Sequence, residues 1–305
     1  MRRQMWADLA LLAVVTVWGM TFVMVKEAVT SFPVFAFLAA RFSVAAVALL
    51  PIAWREALGC RFDRRLLWQG ALMGVALFAG YGLQTMGLRY TTPAKAGFIT
   101  GISVVLVPLG SAWFLRRPPS HAATVGVFLA TVGLALLSLN EDLAVGLGDL
   151  LVLGCAVSFA VQIILTAAFA PGQPAVRLAM VQIATVALLS GVTSLLWEFP
   201  LPAINGQVIF AVVFTGVLAT SFAFATQTVA QRFTSPTHTA LIFSLEPVFA
   251  AAFSYLLIGE RLTGRALLGC AFILFGMLTA ELGDLAWRSI GGKYQPARRR
   301  REPIS

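Results

Sequence analysis

Runs of about 20 consecutive apolar residues recur along the whole chain and constrain its fold more than any other feature. A helix of that length can cross the roughly 30 Å hydrocarbon core of a bilayer. Of the 305 residues, 59% are hydrophobic and 11% are charged, and the charged fraction is about half that of an ordinary soluble domain. The pattern predicts an all-α integral membrane protein with ten transmembrane helices. Their approximate limits are 7–28, 34–54, 66–88, 94–115, 122–139, 147–170, 175–197, 207–230, 236–258 and 264–285.

The basic residues predict how the chain is threaded through the membrane. With the N-terminus inside, sixteen of the 22 Lys and Arg residues fall on cytoplasmic segments and five on outer ones, while Arg41 lies within a span. Basic residues are in excess on the cytoplasmic side of membrane proteins. We therefore expect both termini to be cytoplasmic, in a bacterial-type inner membrane. The net charge of +9 and the arginine run 298–301 then indicate contact with anionic lipid rather than a nucleic-acid partner.

The residue inventory argues against several classes of function. Cys60, Cys155 and Cys270 are far apart and form no CxxC pattern, so neither a disulfide framework nor a metal site is indicated. No glycine-rich phosphate loop occurs, and the connections are too short for an ATP-binding module. Intramembrane hydrolases need paired aspartates, a Ser/His pair or a metal cluster, whereas this chain has two histidines and one deep acid. We expect no enzyme, no cofactor and no metal.

The chain contains an internal duplication. The segment RYTTPAKAGFI, which begins at Arg89, matches RFTSPTHTALI, which begins at Arg232, at an offset of 143 residues. The same offset pairs a glutamine just before this segment, the proline within it and two glycines further along, and a slightly smaller offset pairs Asp8 with Asp149 and Pro33 with Pro174. Because apolar helices resemble each other by chance, matches of Pro, Gly, Arg and Gln are more informative than matches of Leu and Val.

Each copy holds five spans, an odd number, so the second copy must be upside down relative to the first. Inverted repeats are typical of secondary transporters, whose binding site lies near the bilayer midplane between the halves. We predict three segments: a first repeat over residues 1–146, a second over 147–286, and a basic cytoplasmic tail over 287–305. The two repeats should surround a central cavity.

Several motifs resemble the EamA-type transporters of the drug/metabolite transporter superfamily. These are WGMTFVMVK, AARF, the RYTTPAKAGFITG block and the SLEPVFAAAFSYLLIGERL block, which contains Leu245-Glu246-Pro247 and Gly259-Glu260. The resemblance covers nearly the whole chain. It implies a ten-helix fold with a central cavity and the export or exchange of small metabolites, amino acids among them, without ATP. The first half departs from the pattern, since Ser103 replaces Glu246 and Arg117 replaces Glu260 at the matching positions.

Glu246 is the strongest candidate site residue. It lies ten residues into the ninth predicted span, about 15 Å deep at 1.5 Å per residue. A charge facing lipid at that depth is costly, so the side chain should face protein or a watery cavity. Pro247 lacks an N–H and should kink the helix, and Pro108 should kink the first copy one turn away from the matching position. A low local dielectric penalises the charged carboxylate, which makes proton coupling through Glu246 a hypothesis.

A structural interpretation of Glu246 stays open beside the functional one. Arg41 lies about 12 Å from the outer end of the second span, at a comparable depth. A permanent Glu246–Arg41 pair would only hold helices together, whereas a pair that substrate or a proton breaks would serve both purposes.

Other polar and aromatic residues are weaker candidates for substrate binding or coupling. His238 could relay protons or be structural, and Lys26 could bind an anion or extend toward water beside Glu27. The glutamines could line the cavity or join helices, and the two aromatic residues could form its walls or pack. These remaining candidates are Trp18, Tyr81, Gln84, Gln162 and Gln182.

The sequence therefore predicts a secondary transporter that works by alternating access in contact with the lipid bilayer. Its partners would be a small-molecule substrate and, in a coupled mechanism, protons. We expect the efflux of small organic metabolites, amino acids or related compounds, or of drugs. An uncoupled facilitator or exchanger is the alternative, and a membrane sensor or membrane-embedded enzyme is a remote one.

Overall fold

A computed structural model of the protein describes residues 2–56, 63–91, 93–138, 146–258 and 263–289, and these ranges are helical with short connections. Cys60, the Gly259-Glu260 pair and the tail beyond residue 289 lie outside the described residues. The helices are α1 (Arg2–Ser31), α2 (Val34–Glu56), α3 (Arg64–Gly87), α4 (Pro93–Gly101), α5 (Ser103–Phe114), α6 (His121–Ser138), α7 (Leu147–Phe169), α8 (Ala175–Trp197), α9 (Gly206–Gly216), α10 (Ala223–Ala230), α11 (Pro236–Phe243), α12 (Glu246–Ile258) and α13 (Gly264–Ser289).

These helices supply the predicted membrane crossings. Seven segments are long and apolar enough to cross a membrane, and His121–Leu136 and Gly264–Ala280 are shorter apolar helices. The pair α11–α12 provides one more, so the described part of the chain accounts for all ten predicted spans. Large apolar side chains point away from the protein, and Trp113, Leu196 and Trp197 are each more than 70% exposed. Such a surface suits lipid rather than water.

The contact between α6 and α13 shows that the two repeats are inverted. A Cβ atom added at Gly126 would lie 2.5 Å from the carbonyl oxygen of Gly276, and one added at Gly133 would lie 2.6 Å from that of Gly269. The partner's number falls as the residue number rises, so the two helices are antiparallel. Gly269 is the repeat equivalent of Gly126, and Gly276 is that of Gly133, each at the offset of 143. The two contacts are therefore equivalent to each other under the repeat. The arrangement therefore has the approximate twofold symmetry that the duplication predicts.

Two glutamates cap helices of the opposite repeat in the same reciprocal way. The Glu198 carboxylate, just after α8, accepts hydrogen bonds from the backbone N–H groups of Phe35 (2.9 Å) and Ala36 (2.8 Å) at the start of α2. Glu56, at the end of α2, accepts one from the N–H of Arg177 (3.0 Å) at the start of α8. A carboxylate at a helix N-terminus satisfies N–H groups that have no partner within the helix. One such cap lies at each face of the bundle, and α2 and α8 are antiparallel.

The fourth and ninth spans are each broken into two half-helices. The break falls at Ile102 between α4 and α5, and at Ser244 and Leu245 between α11 and α12. Since 102 and 245 differ by 143, the breaks occupy equivalent positions. Pro247 lies at the second break, as expected. Pro108 lies inside α5, six residues beyond the break at Ile102.

The placement of these breaks has a physical explanation in each repeat. Pro247 lacks the N–H that would bond to the carbonyl of Phe243, the last residue of α11. In the first repeat Gly101 precedes the break and packs so closely on Leu134 that an added Cβ would lie 2.8 Å from the leucine side chain. Glycine commonly ends helices. Each second half-helix begins at the position that distinguishes the repeats, Ser103 in α5 and Glu246 in α12.

Candidate functional site

Arg41 is a deeply buried cation in the middle of α2, and only 3% of its surface is exposed. Its Nε donates a hydrogen bond to the Thr220 hydroxyl at 2.7 Å, and its Nη2 donates to the Tyr81 hydroxyl at 3.5 Å. The guanidinium carbon also lies 4.8 Å from the centre of the Tyr81 ring, a favourable cation–π distance. These contacts hold the guanidinium in one position.

The partner of Arg41 comes from a π-helical segment, Val217–Phe222, that joins α9 to α10. Thr220 binds Arg41, and the carbonyl of the preceding residue, Ala219, accepts a 2.8 Å hydrogen bond from the Trp18 indole N–H. A π segment disturbs the regular backbone hydrogen bonds of a helix, and such segments are frequent at functional sites. The equivalent residues of the first repeat lie within the regular α3 helix, so this feature breaks the symmetry.

Tyr81 belongs to a group of aromatic rings in mutual contact, and we call Trp18, Tyr81, Phe159, Phe224 and Phe243 the aromatic cluster. The Trp18 ring lies 4.8 Å from Phe243 and 5.8 Å from Phe224, measured between ring centres. The Tyr81 ring lies 5.3 Å from Phe159 and 6.2 Å from Phe224. The cluster joins α1, α3, α7, α10 and α11, so it unites helices from both repeats. For Trp18 and Tyr81 the sequence left two roles open, cavity wall or helix packing, and the contacts observed here are between rings.

Glu246 lies beside this cluster at the start of α12, and it interacts electrostatically with Arg41, Tyr81 and Cys155. Its carboxylate accepts no hydrogen bond from any described residue, yet neither oxygen is among the completely enclosed polar atoms that lack a partner. At least part of the carboxylate is therefore accessible. That Glu246 faces a cavity between the repeats stays a prediction.

Arg41 and Glu246 are close enough to attract each other but do not form a direct ion pair among the described residues. The guanidinium donates hydrogen bonds from Nε to Thr220 and from Nη2 to Tyr81. Its Nη1 donates no hydrogen bond within the described structure and, like the carboxylate, is not completely enclosed. The permanent pair that we considered is thus absent. The Arg41 guanidinium and the Glu246 carboxylate can therefore each form further hydrogen bonds. A ligand between them could supply the partners.

A second polar group lies one turn from Tyr81. The Gln84 side-chain amide donates to the Thr100 hydroxyl at 3.3 Å, and that hydroxyl lies 3.9 Å from the Cys155 sulfur. These residues belong to α3, α4 and α7. Cys155 also interacts electrostatically with Glu246. Gln84, Thr100 and Cys155 therefore border the region around Glu246. Sequence reasoning singled out Gln84 but missed Thr100 and Cys155.

The other two candidate glutamines lie in a separate buried network that joins α7, α8 and α10. Gln162 donates to the Gln182 side chain at 3.0 Å and accepts from Gln227 at 3.1 Å. Gln227 also donates to Gln231 at 2.9 Å, and Gln231 donates to the carbonyl of Ile163 at 3.1 Å. Of the two roles left open for Gln162 and Gln182, the observed contacts are those of helix packing.

Neither His238 nor Lys26 is among the groups that interact electrostatically with Arg41 or Glu246. His238 is buried near the start of α11, and its backbone N–H donates to the Ser235 hydroxyl at 3.1 Å. It is not among the groups that act on Glu246. Lys26 is half-buried near the end of α1. Its neighbour Glu27 accepts a hydrogen bond from Gln207 at 3.1 Å, and no Lys26–Glu27 ion pair is present among the described residues.

Comparison with known proteins connects this geometry to transport. The sequence model of the EamA-like transporter family matches residues 5–139 and 146–280. An uncharacterized transporter of Archaeoglobus fulgidus is 34% identical over 281 residues, with 92% of this chain and 87% of that protein covered. The uncharacterized transporter YoaV of Bacillus subtilis is 22% identical over 275 residues, with 88% and 94% covered.

The architecture has a counterpart among solved structures. One crystal structure of a protein matches with a TM-score of 0.78 at 21% sequence identity, covering 90% of this chain and 98% of that one. At this identity the likeness concerns the fold alone. The two ranges matched by the family model agree with the two five-span units that the antiparallel contacts define.

Proposed function

Because the chain belongs to the EamA-like transporter family, we propose that this membrane transporter exports small zwitterionic metabolites by alternating access. Amino acids and related compounds are the class that fits. The protein is a multi-pass membrane transporter rather than an enzyme, as its family and the names of its relatives indicate. Its substrate class, its direction and its coupling are the parts that we propose.

The unpaired charges of Arg41 and Glu246 carry the proposal of a zwitterionic substrate. A ligand carboxylate could accept hydrogen bonds from the Arg41 guanidinium, whose Nη1 has no partner among the described residues. A ligand ammonium could approach the Glu246 carboxylate, which accepts no hydrogen bond within the same residues. Charge-assisted hydrogen bonds of this kind are about twice as strong as neutral ones. A zwitterion satisfies both charges at once.

The aromatic cluster supports an apolar or aromatic substituent on that substrate. Pockets for small molecules combine apolar and aromatic walls with a few polar groups that fix orientation. Trp18 has its indole N–H bound to Ala219, so it presents mainly its ring. Drugs that carry a cation and an aromatic ring could use Glu246 and the cluster, but they would leave Arg41 unsatisfied.

Protonation of Glu246 is the proposed coupling event. A carboxylate removed from bulk water is less costly in its neutral form. The substrate ammonium and a proton would then compete for the Glu246 carboxylate. Substrate would bind only when the proton leaves, so the protein would carry one in each direction across the membrane. Arg41, which stays charged, would not take part in that exchange.

The proposed setting is a bacterial-type inner membrane with both termini in the cytoplasm. The excess of basic residues on one set of connections supports this orientation, and the family resemblance supports export. Division into repeats at 1–146 and 147–286, with a tail at 287–305, belongs to the same proposal. The family-model ranges support the first two segments.

A thermal-stability screen tests the substrate class directly. Ligand that binds the folded protein raises its stability by RT ln(1 + [L]/Kd), about 2.7 kcal/mol at a hundred times Kd. We expect aromatic and apolar amino acids to raise the melting temperature more than matched amines without a carboxylate or acids without an ammonium. Equal shifts for all three ligand classes, or shifts by amines alone, would contradict the zwitterion proposal.

A further inference from the structure

The two faces of the bundle differ at positions that the repeat makes equivalent. We call the face where α1 begins the N-terminal face and the other the opposite face. At the opposite face, the end of α3 meets the start of α7. A Cβ atom added at Gly148 would lie 2.9 Å from both the Gly87 carbonyl oxygen and the Tyr90 Cβ. The two backbones touch, and this end is closed.

A hydrogen bond joins the same two segments at the opposite face. The Thr91 hydroxyl, four residues after Gly87, donates to the Asp149 carboxylate at 2.6 Å. The other carboxylate oxygen accepts from the backbone N–H of Gly146 at 3.0 Å. Asp149 therefore joins the start of α7 to the end of α3, and we call the Thr91–Asp149 pair the opposite-face latch.

The repeat places an equivalent pair at the N-terminal face. The offset of 143 carries Thr91 to Thr234, and the smaller offset of 141 that aligns Pro33 with Pro174 carries Asp8 to Asp149. Yet the Thr234 hydroxyl is completely enclosed and has no hydrogen-bond partner among the residues that the structure describes. Asp8 interacts with other groups, but it does not accept a hydrogen bond from Thr234. The N-terminal-face latch, Thr234–Asp8, is thus not formed.

A groove lies next to this second pair, although the Thr234 hydroxyl itself is enclosed. The residues equivalent to Gly148, Gly87 and Tyr90 are Ala7, Ala230 and Phe233, and all three line a groove of about 450 Å³ between α1 and α10. Arg3 and Trp6 also line it. The Cβ atoms of Ala7 and Ala230 occupy space that Gly148 and Gly87 leave free, so α1 and α10 need a small shift to approach as closely as α3 and α7 do. The groove marks a site where α1 and α10 do not make the close backbone contact that α3 and α7 make.

We propose that the two Thr–Asp latches close in alternation during transport. In the present state the opposite-face latch is made and the N-terminal-face latch is not. In the other state Asp8 would accept the hydrogen bond of Thr234, the groove would close, and Thr91 would separate from Asp149. Inverted repeats change access by exchanging the conformations of their two halves. This proposal rests on the alternating access of the proposed function and identifies the residues that carry it.

Distances between spin labels at repeat-equivalent positions test the alternation. One pair replaces Trp6 and Phe233 at the N-terminal face, and the other replaces Leu147 and Tyr90 at the opposite face, in full-length protein whose three native cysteines are replaced by alanine. All four positions are exposed. We expect Thr91→Val to lengthen the Leu147/Tyr90 distance and shorten the Trp6/Phe233 distance. Thr234→Val should do the reverse and enrich the state described here.

The expected size of the effect is the loss of one hydrogen bond, about a five- to tenfold change in the ratio of the two states. Thr91→Ser and Thr234→Ser keep the hydroxyl and should restore the parent distributions. Thr193→Val is the matched control, since the Thr193 hydroxyl bonds only to a carbonyl of its own helix at Leu189. Shifts in the same direction for both valine variants, or no shift in either, would overturn the latches.

Transport by the same variants separates this proposal from the proposed function. If transport persists but the two distances do not change in opposite directions, the latch proposal is contradicted and the proposed function stands. Opposite shifts in a protein that moves no zwitterion would uphold the latches and contradict the substrate class. Variants that do not fold are identified by gel filtration, and the serine substitutions then decide the outcome.

Discussion

Replacing Arg41 by glutamine is expected to weaken binding of a zwitterionic substrate by roughly 30- to 1000-fold. Removing one partner of a buried, hydrogen-bonded charge pair costs about 2–4 kcal/mol, and each 1.4 kcal/mol is a factor of ten in Kd. The loss should be specific to the ligand carboxylate. An amine analogue that lacks the carboxylate should bind the parent protein weakly and be little affected by Arg41→Gln. Ligand-dependent melting temperatures for both compounds measure the difference.

Two controls separate substrate binding from the structural contacts of Arg41. Thr220→Val removes the 2.7 Å anchor of the guanidinium but leaves its charge, so it should weaken binding less than Arg41→Gln. Arg89→Gln removes a basic residue whose side chain donates to the Val29 carbonyl at 3.4 Å, away from the aromatic cluster, and should leave affinity unchanged. If Arg41→Gln weakened the zwitterion and the amine equally, the role of Arg41 as a carboxylate site would be ruled out.

Glu246→Gln is expected to abolish substrate accumulation driven by an imposed pH gradient in proteoliposomes. Glutamine keeps the shape of the side chain but cannot gain or lose a proton, so exchange of substrate for protons should stop. Substrate–substrate counterflow should persist at reduced affinity, because the ligand ammonium loses its counter-charge. The measurement compares radiolabelled substrate uptake under a pH gradient with uptake by counterflow, for parent and variant.

Glu27→Gln serves as the matched control for this experiment. Glu27 is an exposed carboxylate at the end of α1, bound to Gln207, and its replacement should leave both kinds of uptake intact. Gradient-driven accumulation that survived in Glu246→Gln would remove Glu246 from the coupling mechanism. Parent protein that showed counterflow and no response to the gradient or to protonophores would instead be the uncoupled exchanger.

Much of the fold could be predicted because its determinants are local or repeated in the sequence. Span length depends only on runs of apolar residues, and inversion follows from an odd number of spans in each copy. The contacts of Gly126 with Gly276 and of Gly133 with Gly269 confirm the inversion. Glu246 and Arg41 could be singled out because a charge deep in a span is costly unless protein or water surrounds it.

The interior of the site depends on contacts between distant segments, and the sequence alone does not reveal them. The π segment at Val217–Phe222 is stabilised where Trp18 and Arg41 reach it from other helices, more than 170 residues away in the chain. Thr220 was therefore missed, although a Thr-Ser pair within an apolar span was a usable signal. The capping roles of Glu56 and Glu198 were missed for the same reason, since each caps a helix of the other repeat.

The glutamines and Pro108 illustrate a second limit of sequence reasoning. A polar residue in a span can face a cavity or another helix, and its hydropathy is the same in both cases. Gln84 borders the region of Glu246, whereas Gln162 joins helices. Proline predicts a lost hydrogen bond but not the point at which the helix breaks. In the first repeat the break follows Gly101 rather than Pro108, and Gly101 packs closely on Leu134.

Chemical labelling at position 246 tests most directly whether the two inverted units enclose a wet chamber beside Arg41. In a chain whose native cysteines are replaced by alanine, Glu246→Cys should react with a small water-soluble thiol reagent, and an aromatic amino acid should slow the reaction. Ala130→Cys, at a fully buried position of α6, is the unreactive reference. A thiol at position 246 that reacted no faster than the one at position 130 would contradict the chamber and the transport mechanism built on it.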